Sequence, residues 1–401
     1  MLPPRSLLEC AAPLALTLLG AACSGPSTGL ALDAPDTVSG QEGPLSPWLG
    51  SGRLERLPLF EAERFPCVAV ALDGTVVATF GSSQLLARRS EDGGATYGPV
   101  IEVAAPAFQG GGLLCDERTG DLLAFSEAGH PPAARYLHRS RDAGITWETT
   151  PLEVLPNSMG HSPSLHMNDS GITLRRGPHA GRIVRPSRWY GEGNDRAFWA
   201  THYTNAILSD DGGLTWRASE PFPEHGTGEA TVCELSDGSL YYNSRVHWDQ
   251  RPDNTRRRSA LSHDGGRTWE GWRLEPTLPD GQQNRSYGCM GGLARLPIVG
   301  RDVLVFSNLD TPNATRERLT VWASFDGGRS WPVKRLVEAG PSAYSSMAAG
   351  RPGTPSEGWI YLQYEGGPDA ACTIARLDLA WILDGEATGD GAVPAWARAE
   401  R

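Results

Sequence analysis

The stretch Ser262–Trp269, SHDGGRTW, decides the fold, because the chain writes it five times with small changes. SEDGGATY begins at Ser90, SRDAGITW at Ser140, SDDGGLTW at Ser209 and SFDGGRSW at Ser324. The aspartates of the five copies, Asp92, Asp142, Asp211, Asp264 and Asp326, lie 50, 69, 53 and 62 residues apart. Spacing of this order with strand-like flanks predicts propeller blades rather than helical repeats. Each copy has the chemistry of a hairpin turn: the Asp accepts backbone hydrogen bonds, the Gly residues take positive φ, and the aromatic packs over the turn. A calcium loop would need further carboxylates at alternating positions, and these are missing. The phrase builds the scaffold and carries no catalysis.

Composition agrees. The chain has 401 residues, a net charge of -11, 48 Gly and 31 Pro. Its apolar runs are short and long helical periodicities are nearly absent, which favours many short strands joined by turns. The acidic balance argues against a nucleic-acid partner. The run Arg256–Arg258 reads as a solvated strand face. Lys334 is the only lysine among 36 basic residues, so an Arg at any one position says little by itself. Beyond Cys10 and Cys23, the cysteines Cys67, Cys115, Cys233, Cys289 and Cys372 are widely spaced and read as small buried residues. His161 and His166 fit no zinc pattern and HExxH is absent; neither a metal nor a cofactor is implied.

Residues 1–23 read as an export signal: Arg5, then the apolar stretch Ala11–Ala22, too short to span a bilayer, then Cys23. The pattern resembles a bacterial lipoprotein signal with Cys23 as the lipidated residue, although Leu19 lies one place too early. A plain cleaved signal peptide is the alternative. Either places the protein outside the cytoplasm, in the periplasm, on the outer membrane or secreted. Residues 24–52 are Pro/Gly/Ser-rich and read as a linker, residues 53–385 as the propeller, and 386–401 as a tail.

The repeated phrase S-x-D-x-G-x-T-W resembles the Asp-box, or BNR repeat, of the sialidase (neuraminidase) superfamily. The resemblance covers roughly Leu57–Leu383 and implies an all-β, six-bladed propeller. Asp-boxes also occur in propellers without this activity, so the site has to be read separately.

What the resemblance implies about the site can be placed phrase by phrase. A substrate with a carboxylate on its anomeric carbon suits planar guanidinium groups, which bind it through two parallel hydrogen bonds. The family uses three Arg. ERFP supplies Arg64; GEATVCELSDGSLYYNSR supplies Glu229 and Arg245; SNLDTPNATRERLTV supplies Arg316, with Arg318 as second choice. The family's nucleophile is a Tyr activated by a Glu, since a neutral phenol is not repelled by the substrate carboxylate. GPSAYSS supplies Tyr344, with Glu229 as its partner, and LQYEGG supplies Glu365 to support Arg64. Trp189, Tyr190, Tyr203, Trp248 and Tyr287 fall in segments expected on the loop face, either as sugar platforms or as blade filler. Asn168, Asn284 and Asn313 begin N-x-S/T sequons whose use a bacterial-type signal argues against.

One element is missing. The family's acid/base Asp lies after the second strand of the first blade; here VVATF runs through GSSQ into LLARRSEDGG without a carboxylate between Asp73 and Glu91. A replacement could come from Asp169, ranked first, or from Glu127, Glu192 or Asp195; Asp169 reads equally as a turn residue. The enzyme could instead use leaving groups that need little protonation, since a general acid is typically worth about 10²–10⁴ in rate. The expectation is an exo-sialidase-like retaining hydrolase acting on sialylated glycans. The alternatives are a non-catalytic propeller that binds acidic sugars, and a hydrolase or lyase for another carboxylated sugar.

Overall fold

The computed structural model describes residues 42–109, 111–166, 169–191, 193, 195–248, 256–280, 288–311, 315–367 and 371–398. Cys23, Glu192, Asn168, Asn284, Tyr287 and Asn313 lie outside the described residues. Among those described, strands dominate and the one α-helix is the short Leu379–Leu383. No helix there is long and apolar enough to cross a membrane.

The strands form a β-propeller of antiparallel sheets that follow one another in chain order. The first sheet holds Cys67–Val70, Val76–Phe80, Leu85–Ser90 and Ile101–Ala104. The second is built on Leu122–Glu127, Arg135–Ser140 and Glu148–Pro151, with the short strands Phe108–Gln109 and Leu114–Cys115 both on Leu122–Glu127. The third holds Ile172–Thr173, Ile183–Trp189, Tyr203–Ser209 and Trp216–Ala218, plus Val154–Leu155 in parallel. The fourth holds Thr227–Glu234, Leu240–Val246, Arg256–Ser262 and Glu270–Pro279. The last is larger: Gly292–Arg295, Leu304–Leu309 and Glu317–Ser324 lead into the 17-residue strand Val333–Ala349. Ile360–Gly366, Cys372–Leu377, the early strand Leu54–Phe60 and the short Glu386–Ala387 complete it. Val333–Ala349 pairs with Glu317–Ser324 through its first half and with Ile360–Gly366 through its second.

The repeated phrases sit where the alternation of strands demands a tight turn. In four of them the Asp carboxylate gathers four donors within four residues, and Asp326 gathers three. Asp211 accepts from Ser209 Oγ at 2.8 Å, Leu214 N at 3.1 Å, Thr215 N at 2.9 Å and Thr215 Oγ1 at 2.6 Å. The hydroxyl of Thr96 and its neighbours hold Asp92 down at about 2, so the turn stays fully bonded through the working range. The second glycine of each phrase abuts a strand of another sheet. A Cβ on Gly94 would lie 2.7 Å from Tyr361, on Gly144 3.3 Å from Val77, and on Gly213 3.1 Å from Leu123. On Gly266 it would lie 3.2 Å from Leu208, and on Gly328 2.8 Å from Tyr241. Positive φ and close packing therefore both require glycine there. Only the second phrase departs, with Ala143 at φ 52 in place of the first glycine.

Three expectations change. Part of the expected linker belongs to the fold: Trp48 is completely buried, and Glu42 bridges Arg176 and Arg295. Its Pro/Gly content hid the apolar Trp48–Leu49 pair that anchors it. The expected tail also packs: Glu386–Ala387 pairs with Val333–Lys334, and Trp396 meets Phe325 edge-on. Finally, Arg256 is exposed but Arg257 and Arg258 are buried. Arg257 donates to Asn243 Oδ1 and to the Cys289 carbonyl, and Arg258 to Glu224, which satisfies their guanidinium groups inside. The five described cysteines are all buried, and burial pushes the Cys67, Cys115 and Cys289 thiols up to about 12.

Candidate active site

The first strands of the sheets start, and the second strands end, at one end of the propeller. Arg64 precedes Cys67–Val70, Glu229 lies early in Thr227–Glu234, and Arg245 lies late in Leu240–Val246. Arg316 precedes Glu317–Ser324, Tyr344 lies in the second half of Val333–Ala349, and Glu365 lies late in Ile360–Gly366.

Two of these positions are irregular in the same way. The pairing of Thr227–Glu234 with Leu240–Val246 slips between Thr227 and Ala230, which leaves Glu229 in a bulge. The pairing of Val333–Ala349 with Ile360–Gly366 slips between Ser342 and Ser345, which leaves Tyr344 in another. A bulge re-aims the side chain it carries.

Tyr344 Oη donates to Glu229 Oε1 at 2.7 Å, and Arg245 Nη1 donates to Glu229 Oε2 at 2.7 Å. All three side chains are buried. Burial alone would raise the Glu229 carboxyl, but Arg245 and His247 outweigh it and hold the group well below the usual carboxylate range. Burial, then the Glu229 charge, push the Tyr344 phenol well above its ordinary value. The pair is therefore a neutral phenol and a carboxylate.

Arg64 is about half exposed. It meets Glu365 with a bidentate contact, Nε to Oε1 at 3.0 Å and Nη2 to Oε2 at 3.1 Å. Glu365 also accepts from the backbone N–H of Phe65 at 3.1 Å and of Tyr344 at 3.4 Å, tying the two segments together. The Arg64 guanidinium carbon lies 5.3 Å from the Tyr344 ring centre and that of Arg316 lies 5.1 Å away. Arg316 Nη2 donates to the Gly288 carbonyl at 2.8 Å. Three guanidinium groups from three different sheets thus surround one phenol. Arg318 is outside this group: it sits at φ 62 and donates to the Asp310 carbonyl.

His247 and Arg188 were not singled out in the sequence. His247 Nε2 lies 3.3 Å from Glu229 Oε1 and 3.2 Å from Arg188 Nη1. Burial and the neighbouring Arg188 and Arg245 charges keep His247 neutral. The signal was present in NSRVHW: Arg245 and His247 are two apart, so an extended chain turns both to Glu229.

The described replacements for the missing acid, Asp169, Glu127 and Asp195, are each engaged in other contacts, and Glu192 lies outside the described residues. Asp169 is completely buried. Its carboxylate accepts from Ser346 Oγ at 2.6 Å, and from Thr231 Oγ1 and Leu293 N at 3.2 Å each, so it pins the fourth and last sheets together. Burial raises it to about 7. Glu127, buried and likewise raised by burial to about 7, is taken up by Ser164 Oγ and Leu165 N. Asp195 caps the 3₁₀ turn Arg196–Thr201 by accepting from Ala197 N at 3.1 Å. Of the aromatics, Tyr190 and Tyr203 are buried, and the partly exposed Trp189 stacks on His161 at 3.8 Å. Among the described residues, no group of three or more His, Cys, Asp or Glu side chains is arranged to hold a metal ion.

The family model described as a BNR repeat-like domain matches residues 109–354, well over half of the chain. The chain belongs to the BNR repeat-like family, within the sialidase superfamily. The sialidase of Micromonospora viridifaciens is 31% identical over 361 residues, covering 80% of this BNR-repeat protein and 52% of that one. A sialidase of Bacteroides fragilis is 28% identical over 292 residues, covering 62% and 48%. The chain thus spans about half the length of the curated relatives it matches. Among solved structures, a Hadza microbial sialidase superposes with a TM-score of 0.63 at 26% identity, covering 80% of this chain and 66% of that one. The intramolecular trans-sialidase of Ruminococcus gnavus, solved with oseltamivir carboxylate, has a TM-score of 0.62 at 15% identity over 87% and 99%, a likeness of fold alone.

Proposed function

We propose that this chain is an exo-sialidase-like retaining glycoside hydrolase that releases terminal sialic acid from glycans. The observation that carries the reading is the buried Tyr344–Glu229 hydrogen bond of 2.7 Å set among Arg64, Arg245 and Arg316. The arginines hold the substrate carboxylate. Tyr344 attacks the anomeric carbon as its proton passes to Glu229, and the bond to the leaving oxygen breaks. Water then attacks from the face opposite Tyr344, the one the leaving group vacated; the tyrosyl oxygen departs and takes its proton back from Glu229, and two inversions retain configuration. Glu365 orients Arg64. Asp169, with its oxygens engaged by Thr231, Leu293 and Ser346, is assigned to the scaffold, and leaving groups of low basicity are the favoured substrates.

The strong Arg245–Glu229 pair couples binding to chemistry. Held by Arg245 and His247, Glu229 is a poor base for so weak an acid as Tyr344. A substrate carboxylate shares the Arg245 charge, weakens its hold on Glu229 and so raises the basicity of Glu229 when substrate is present.

The same reading extends to architecture and location. Counting Val333–Ala349 as the joint between two blades gives six in all, the last closed by Leu54–Phe60. Residues 1–23 are proposed to direct export, with Cys23 as a lipid anchor, which would bring the pocket to extracytoplasmic glycans.

The test is to assay the purified chain and Tyr344→Phe on an aryl sialoside, whose leaving group needs no acid, and on sialyl-lactose. Cleavage of the aryl substrate that the variant lacks is expected. Cleavage of neither by the wild-type chain would overturn the hydrolase reading.

A further inference from the structure

The sequence puts no carboxylate in the shortened first-sheet loop between Val76–Phe80 and Leu85–Ser90, but the fold brings one to it. Glu63 Oε2 accepts from Ser82 N at 2.7 Å, Ser82 Oγ at 2.6 Å and Ser83 N at 2.9 Å, and Glu63 Oε1 accepts from Ser83 Oγ at 2.6 Å. Four donors from two residues converge on one partly exposed carboxylate. The loop is fastened on two further sides. Gly81 N donates to the Arg64 carbonyl at 2.7 Å, and Ala107 N donates to the Ser83 carbonyl at 3.0 Å. At Gly81 a Cβ would lie 1.7 Å from the Gln84 carbonyl oxygen, so the turn is as tight as a chain allows.

The segment it holds is strained. Glu63 has φ 83 and Phe65 φ 69, and Arg64 lies between them. Side chains other than glycine keep such a backbone only where the surroundings over-determine it. Here two carboxylates do so from either side: Glu365 grips the Arg64 side chain and the Phe65 amide, while Glu63 grips the loop that bonds to the Arg64 carbonyl.

We propose that Glu63 is a positioning residue of the carboxylate-binding site, fastening the shortened loop so that Arg64 stays aimed beside Tyr344. This rests on the reading of Arg64 as a carboxylate-binding residue. Glu63 is not the missing acid. Partial burial would raise it, but the Ser82 and Ser83 hydroxyls and amides overcome that and hold it at about 2, so it carries no proton at working pH.

The experiment uses the full chain with Glu63→Ala, Glu63→Asp and Ser83→Ala. It measures kcat and KM on the aryl sialoside and on sialyl-lactose, together with titration by free N-acetylneuraminic acid. For Glu63→Ala, KM on every substrate cleaved and Kd for the free acid are expected to rise about tenfold together, with kcat nearly unchanged. Ser83→Ala, which removes one exposed donor, is expected to give about a two- to threefold rise, and Glu63→Asp to recover part of the loss. If KM and Kd stay at wild-type values, or only sialyl-lactose cleavage is lost, the proposal is overturned; the second result would make Glu63 the acid. A wild-type chain that binds the acid but cleaves nothing defeats the hydrolase reading, and the shift in Kd still decides the role of Glu63. A wild-type chain that does not bind the acid removes the clamp and the proposal together.

Discussion

Tyr344 and Glu229 each stand in a β-bulge, and the two bulges bring side chains 115 residues apart in sequence to 2.7 Å. A regular ladder would alternate these residues in step with their neighbours. The bulges break that step and leave both side chains facing a common centre.

The bulge at Glu229 depends on Gly228, where a Cβ would lie 2.1 Å from His247 Nδ1. Gly228→Ala must displace the His247 ring, and with it a contact of Glu229. The expected outcome is a fall in kcat/KM of roughly tenfold or more with a modest loss of Tm, measured on the aryl sialoside beside thermal melts.

The Arg245–Glu229 pair is buried, so removing one partner strands the other. Arg245→Met is expected to destabilise the protein by about 3–5 kcal/mol, and adding Glu229→Gln to recover part of it. Urea unfolding of the single and double variants checks this; equal losses in both would contradict it.

Asp169 makes stability depend on pH in a defined direction. Its folded value of about 7 lies above the unfolded carboxylate value, so the folded state binds the proton more tightly. The contribution of Asp169 is whole below the unfolded value and is lost as pH rises through about 7. Asp169→Asn removes that dependence and should therefore cost more stability at a pH near 4.5 than at a pH near 8. Denaturant midpoints of both proteins at the two pH values test the sign.

The turn phrases are scaffold. Asp211→Ala removes an acceptor of four hydrogen bonds and is expected to cost about 1–3 kcal/mol while leaving KM unchanged. A matching loss of substrate affinity in that variant would place the phrase in the site.

The turns could be read from sequence because each closes on itself: every bond to Asp211 comes from within four residues. The arginines, Tyr344 and Glu229 could be placed only by resemblance, since in an Arg-rich chain nothing local marks them. What stayed hidden is non-local. Asp169 looks like a turn residue in NDSG and does take the Ser170 N–H, but its other donors come from Thr231, Leu293 and Ser346, and no local pattern announces that the side chain points inward. Glu63 reads as a surface acid until the loop 19 residues later folds back on it. Arg257 and Arg258 look like a charged face because their partners, Asn243 and Glu224, lie on other strands and loops.

Leu54–Phe60 is held by Cys372–Leu377, so an early strand waits for a partner made some 300 residues later. On a ribosome, Arg64 emerges 301 residues ahead of Glu365, the carboxylate that aims it. A nascent chain stalled or clipped in between would carry the guanidinium without its partner. The proposed pocket is assembled only once Ile360–Gly366 has been made, and until then the growing chain has a scaffold without it.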